Sequence, residues 1–338
     1  MRPVPRRRRR ATGLIAALGA LAVLAGSLTA CGSTEPRDLL ESIRSGHVIL
    51  GTKFDQPGLG LENPGGGITG FDAAVSKYVV TQIAGELGVD MPEISWKETP
   101  SAQRETFIRN GEVDTIAATY SITEPRMKDV DFAGPYLVTY QGLLARADDD
   151  SIQRLSDMAD NRKLCSAAGS TPAQNVKRLL SGVQLQQFDS YSSCVEGLRR
   201  DKVDAVTTDE IILAGYSNFW QDEFKLVDMT YDQDTCVKGA LKKEGAPFSF
   251  EYYGIGMAKN YPEAVTQVNK ALKKMLVVPP GERYSPWEKA LREALGDPFV
   301  DNLIERAQRP GSQYLFQPDP GDLSFLTAAT TECTEGAR

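Results

Sequence analysis

The chain has 338 residues, 41% of them hydrophobic, with 38 Lys and Arg against 45 Asp and Glu, a single histidine and five cysteines. That length can bury two cores, and an acidic chain without a basic, aromatic-interleaved patch excludes nucleic acid as the expected partner. With His47 alone, no Ser-His-Asp triad, His-rich zinc site or Cys-His nucleophile pair is supported, so neither a metal nor another cofactor is expected.

Residues 1–10 hold six arginines and no acid, and an apolar run over 11–25 leads to Leu28-Thr29-Ala30-Cys31. This order predicts a secretory signal over 1–30 rather than a helix of the fold. The cysteine directly after Leu-Thr-Ala is similar to a bacterial lipobox, which implies cleavage before Cys31 and a diacylglyceryl thioether on its sulfur. Residues 31–45 then read as a lipid-anchored tether. Loss of the six arginines takes the net charge from −7 to −13. No later stretch is long and apolar enough to span a bilayer.

The first strand is predicted over 47–52, followed by a turn that contains Lys53. Gly65-Gly66-Gly67 lies between Pro64 and Ile68 and reads as a hairpin loop, not a phosphate cradle. Gly70-Phe71-Asp72 opens a helix whose Val75, Val79, Ile83 and Leu87 recur every fourth residue. A strand at 94–96 follows, then a helix over 102–109 with Ser101 as its N-cap and Gly111 past its end. A short buried strand over 113–117 leads into Thr119-Tyr120-Ser121-Ile122-Thr123-Glu124-Pro125-Arg126. This places hydroxyls and an arginine at the exit of an apolar strand, where open α/β sheets bind ligands. The planar fork of Arg126 suits a carboxylate.

The segment 109–119 is echoed at 199–209, at a constant offset of 90 positions, and Asp209 stands where Thr119 stands in the first copy. Two α/β lobes of similar plan, one presenting a cation and the other an anion, suggest a cleft for an α-amino acid. Between the copies, 131–132 and 136–144 read as extended, the latter crossing to the second lobe. There, strands at 163–167, 185–188 and 203–207 alternate with helices over 173–180 and 193–200. Thr171 before Pro172 fits an N-cap, and the free N–H groups of that helix end favour an anion. Residues 253–257 return the chain. The expected fold is therefore α/β and two-lobed, each lobe a mixed sheet flanked by helices, with lobe one spanning 46–144 and 252–338 and lobe two 145–251.

Four cysteines remain after cleavage, an even number that favours disulfides in an exported chain. Cys165 on its strand and Cys194 at the start of the adjacent helix are paired on that placement. Cys236–Cys333 follows by elimination and would pin the tail to the end of the second lobe.

At Gly70-Phe71-Asp72, Ser121-Ile122-Thr123-Glu124-Pro125-Arg126, Val130-Asp131-Phe132, Gly169-Ser170-Thr171, Val203-Asp204-Ala205-Val206-Thr207-Thr208-Asp209 and Tyr253-Gly254-Ile255-Gly256, the chain resembles the amino-acid-binding proteins of ABC importers, the type II periplasmic binding fold. The pieces keep the family's order over about residues 46–275, and 52–60, 100–106 and 190–198 resemble actinobacterial glutamate-binding lipoproteins. The resemblance implies that Arg126 holds the ligand α-carboxylate with Ser121, Ser170 and Thr171, and that Asp209 holds the α-ammonium with Thr119. Tyr191 joins the same ligand set, with Ser101 beside Arg104. Lys53 and Arg104 fall at positions near the ligand side chain, so two cations there favour glutamate, or aspartate, over a neutral amide. The implied partners are an acidic amino acid, ABC permease subunits and the outer face of the cell membrane, for a monomer that is not an enzyme. A receptor coupled to a membrane signalling partner and a dehydratase on the same fold are the alternatives. From about residue 277 the chain departs from the family pattern, and Val277-Val278-Pro279-Pro280-Gly281 interrupts its usual ending.

Overall fold

The computed structural model describes residues 35–158, 161–180, 182–328 and 331–334, so Cys31 and the expected leader lie outside the described residues. Helix α1 (Leu39–Arg44) is capped by the Asp38 carboxylate and leads into strand β1 (His47–Thr52). Strands β2 (Asp55–Gln56), β3 (Gly60–Glu62) and β4 (Ile68–Thr69) form a small antiparallel sheet, with the triple glycine in its second hairpin. Helix α2 (Phe71–Leu87) starts at Gly70, whose φ of 113° suits glycine alone. A Cβ there would lie 2.4 Å from the Leu59 carbonyl oxygen. Val75, Val79 and Ile83 fill the buried face of α2, and left-handed Gly88 ends it.

Strand β5 (Glu93–Glu98) is longer than expected because all six residues pair in register with β1. Ser101 does not cap a helix. A 3₁₀ turn over Ser101–Gln103 precedes helix α3 (Arg104–Arg109), and the Ser101 hydroxyl instead accepts from Lys53 Nζ at 3.0 Å. Strand β6 (Thr115–Ile116) is shorter than the expected 113–117. Asp114 ahead of it turns its carboxylate onto Arg37, Ser42 and the Ile49 amide. Helix α4 (Glu124–Met127), capped by Thr123, carries Arg126.

Strand β7 (Asp131–Arg146) runs unbroken through both stretches that the sequence suggested as separate, and it is buried along almost its whole length. The second half comprises β8 (Lys163–Ala167), α5 (Thr171–Leu179), β9 (Gln184–Phe188), α6 (Tyr191–Arg199), β10 (Ala205–Asp209), α7 (Glu210–Phe219) and β11 (Phe224–Asp228). Thr171 is not the cap of α5. Ser170 has the extended backbone of an N-cap and accepts from the Ala173 amide at 3.1 Å, which makes Thr171 and Pro172 the first helical residues. Strand β10 extends to Asp209 because Thr208 and Asp209 still pair with Gly142 and Gln141 of β7.

After a hairpin of β12 (Thr235–Val237) and β13 (Ala240–Lys242), β14 (Phe250–Met257) returns to the first half, followed by α8 (Pro262–Met275), α9 (Pro286–Leu295) and α10 (Asp297–Gln308). The nine-stranded mixed sheet runs β5-β1-β6-β14-β7-β10-β8-β9, with β11 also on β7. Strand β7 pairs with β14 up to Tyr140 and with β10 and β11 from Gln141 onward, so both halves share one strand.

The residues past 277 pack back onto this frame. Trp287 is buried, with its indole edge against Phe71, and donates from Nε1 to the Tyr136 carbonyl at 2.7 Å. Arg306 pairs with Glu210 of α7. Tyr140 OH exchanges hydrogen bonds with the Leu315 backbone, and Phe325 stacks on Tyr252 at 3.8 Å. Both disulfides are present: Cys165–Cys194 joins β8 to α6, and Cys236–Cys333 ties the tail to the β12–β13 hairpin.

Candidate functional site

The carboxyl ends of β6 and β10 meet where β7 and β14 cross between the halves. Arg126 reaches from α4 into this junction and is nearly buried. Its Nη1 donates to the Ser121 carbonyl at 2.7 Å and the Thr171 hydroxyl at 3.1 Å, its Nη2 to the Gly169 carbonyl at 3.0 Å, and its Nε pairs with Glu105 at 3.2 Å. Two of these partners, Gly169 and Thr171, belong to the second half, so the arginine bridges the cleft.

Arg104 lies beside it, 1% exposed. It donates to the carbonyls of Ser101, Ala118 and Thr119 at 2.9–3.1 Å, and more weakly to Gly169 at 3.4 Å. The Tyr120 ring lies beneath both guanidiniums, at 4.3 Å from Arg104 and 5.0 Å from Arg126. Across the cleft, Asp209 ends β10. Tyr253 OH donates to its Oδ2, while its Oδ1 is buried without a hydrogen-bond partner in the protein. An orphaned carboxylate oxygen in such a place invites a cationic donor.

Eight of the ten sequence-predicted ligand residues line one small cavity of about 10 Å³: Ser101, Arg104, Thr119, Ser121, Ser170, Thr171, Tyr191 and Asp209. Arg126 touches two of them, Ser121 and Thr171. Lys53 lies one step away and lines a second cavity of about 110 Å³ that shares Ser101 and Tyr191 with the first. Its Nζ donates to the Thr99 carbonyl at 2.8 Å and to Ser101 Oγ at 3.0 Å. Acids also line the larger cavity, but Glu98 and Asp189 are exposed, and Asp55 accepts from the amide and hydroxyl of Ser192.

Residues 48–277 match the family model of the bacterial extracellular solute-binding proteins, family 3. The chain belongs to that family. It is 50% identical over 314 residues to the glutamate-binding protein GluB of Corynebacterium efficiens, covering 92% of this chain and 96% of the relative. With the ABC transporter glutamine-binding protein GlnH of Bacillus subtilis it shares 31% over 259 residues, 73% of this chain and 86% of that one. Among solved structures, an ancestral arginine-binding protein bound to glutamine superimposes with a TM-score of 0.60 at 28% identity, covering 75% of this chain and 99% of that chain. The fold is thus the two-lobed periplasmic-binding type II fold, and the tail past 277 lies beyond the part the family model matches.

The cleft of this solute-binding protein is electrostatically tense. Burial, then the neighbouring Arg104, pushes the Lys53 amine down from 10.5 to about 7. Burial, then Arg126, brings Arg104 down to about 10. On the acidic side, burial and the nearby Glu251 carboxylate raise Asp209 well above the usual range. Burial also raises Asp72, to about 6, against hydrogen bonds from Tyr136 and the Thr119 amide. Tyr191 is raised to about 12 by burial and the Asp209 charge. For Lys53, Arg104 and Asp209 the shifts come from burial and from like charges nearby, and an oppositely charged ligand group would relieve them.

Four functional neighbours escaped the sequence reading as individual residues. Glu105 orients Arg126, and Tyr253 holds one oxygen of Asp209. Glu251 accepts from Asn175 of α5 at 3.1 Å across the junction, and Asp72 supports Thr119. The visible signal was an acid in an otherwise apolar strand for Glu251 and a motif position for Asp72.

Proposed function

We propose that this protein captures an acidic amino acid, L-glutamate first and L-aspartate second, between its lobes and delivers it unchanged to an ABC permease. Asp209, with one oxygen left without a partner in the protein, shares a single cavity with the buried Arg104, while Arg126 holds two residues of its lining, and this carries the reading. In it, Arg126 takes the α-carboxylate with Ser121, Ser170 and Thr171, while Asp209 and Thr119 take the α-ammonium. Lys53 and Arg104 then receive the distal carboxylate beside Ser101 and Tyr191. The larger cavity toward Lys53 gives that carboxylate a direction. A neutral amide there would leave two desolvated cations uncompensated, whereas a carboxylate offsets them. Because the cleft cavity of about 10 Å³ holds roughly one water, ligand entry requires the lobes to part. The glutamate-binding relative at 50% identity supports the same choice of ligand. Secretion, anchoring through a lipid on Cys31 and action as a monomer complete the proposal.

Calorimetric titration of residues 32–338 with the twenty amino acids tests it. Glutamate should bind with the highest affinity, Arg126→Ala should abolish binding of every amino acid, and Lys53→Asp with Arg104→Ala should lose acidic ligands selectively. Tighter binding of a neutral or basic amino acid, or a double variant that keeps glutamate selectivity, refutes the assignment.

A further inference from the structure

Thr119 is a β-branched residue held at φ 47°, in the left-handed region that such side chains avoid. Its backbone is what the site uses: the Thr119 carbonyl accepts from Arg104 Nη1 at 2.9 Å, and the adjacent Ala118 carbonyl accepts from the same nitrogen at 3.0 Å. Something must hold this turn, and the holder is Asp72. The carboxylate is fully buried at the start of α2, and its Oδ2 accepts from the Thr119 amide at 2.8 Å. Its other oxygen accepts from Tyr136 OH at 2.7 Å, and the Tyr136 carbonyl in turn accepts from the Trp287 indole. Both oxygens are thus committed to the scaffold, and no cation lies within ion-pair distance of Asp72 among the described residues.

We propose that Asp72 is a positioning residue for the binding site: by anchoring the Thr119 amide it keeps the strained turn in place, and through the Ala118 and Thr119 carbonyls it aims the Arg104 guanidinium into the cleft. The inference rests on the amino-acid-binding reading above. Asp72 therefore leaves Arg104 free of a direct carboxylate partner while fixing its direction. Trp287, in the tail, holds the Tyr136 backbone by a separate hydrogen bond to its carbonyl.

Glutamate titration calorimetry on the full secreted chain tests this with a double-mutant cycle. In Asp72→Asn the amide can accept from only one of the two donors and turns an N–H₂ toward the other. Glutamate affinity should fall about tenfold or more, the scale of one hydrogen bond to a charged group. Glycine adopts a positive φ without a holder. In a Thr119→Gly background, the loss caused by Asp72→Asn should therefore shrink at least about threefold. A role confined to charge or to general folding would give the same loss in both backgrounds, and that result overturns the proposal. So does an Asp72→Asn protein that binds as tightly as wild type. If Asp72→Asn does not fold, Tyr136→Phe keeps the charge but frees one oxygen, and the same rescue by Thr119→Gly is required of it. Failure of the wild-type protein to bind any amino acid would instead strike the binding reading, and then slow hydrogen exchange at the Thr119 amide, lost in Asp72→Asn, still decides the anchoring.

Discussion

Replacing Trp287 by alanine tests whether the tail past residue 277 belongs to the fold or merely rests on it. The indole is 1% exposed and its ring stands edge-on to Phe71 at 5.9 Å and Phe316 at 5.3 Å. Truncating a buried aromatic of this size costs about 3–5 kcal/mol, the spread reflecting how far the site collapses. The change also removes the N–H that the Tyr136 carbonyl accepts, worth about 1 kcal/mol. Trp287→Ala should therefore lose about 4–6 kcal/mol, a large share of the roughly 5–15 kcal/mol that native proteins hold. Trp287→Phe keeps most of the packing and loses the donor, so about 1–2 kcal/mol is expected. Urea unfolding followed by far-ultraviolet circular dichroism gives both values if the slope is unchanged. A loss below about 1 kcal/mol for Trp287→Ala would mean that the tail is an appendage, and the burial argument would fail.

Two further outcomes follow from burial and from chain closure. Lys53 titrates near 10.5 when unfolded and about 7 in the fold, so the folded state resists its charge. That penalty is full below pH 7, shrinks between pH 7 and 10.5, and vanishes above; Lys53→Met should stabilise the ligand-free protein most at pH 6, with a gain that fades by pH 10 in urea titrations. A gain independent of pH would show that the amine is not desolvated as described. Removing Cys165 and Cys194 together, which are 29 residues apart, should cost about 3–4 kcal/mol in the same assay, and removing Cys236 and Cys333, 97 apart, about 4–5 kcal/mol. The opposite order would put native packing around each bridge, rather than loop length, in control.

The order of strands and helices was legible because it depends on short-range patterns. The start at Gly70-Phe71-Asp72 and the fourfold spacing of Val75, Val79, Ile83 and Leu87 predicted α2 closely. Cys165–Cys194 was also legible from the expected packing of the Cys194 helix beside the Cys165 strand, and Cys236–Cys333 followed by elimination. Errors gathered at element ends, where a distant partner decides. Ser101 left its expected capping role for Lys53, Ser170 displaced Thr171 as the cap, and pairing with β7 carried β10 on to Asp209.

The linear chain determined which charges were available, a fork at Arg126, cations at Lys53 and Arg104 and an acid at Asp209, together with the repeated strand exits that present them. Those are properties of residue type and local periodicity. Only the tertiary structure decided that Arg126 spans to Gly169 and Thr171, that one oxygen of Asp209 is left free, and that Asp72 secures Thr119. It also decided that the tail packs against both β7 and β14. Each of these joins residues dozens to more than a hundred positions apart, and no local pattern encodes which buried donor will find which buried acceptor.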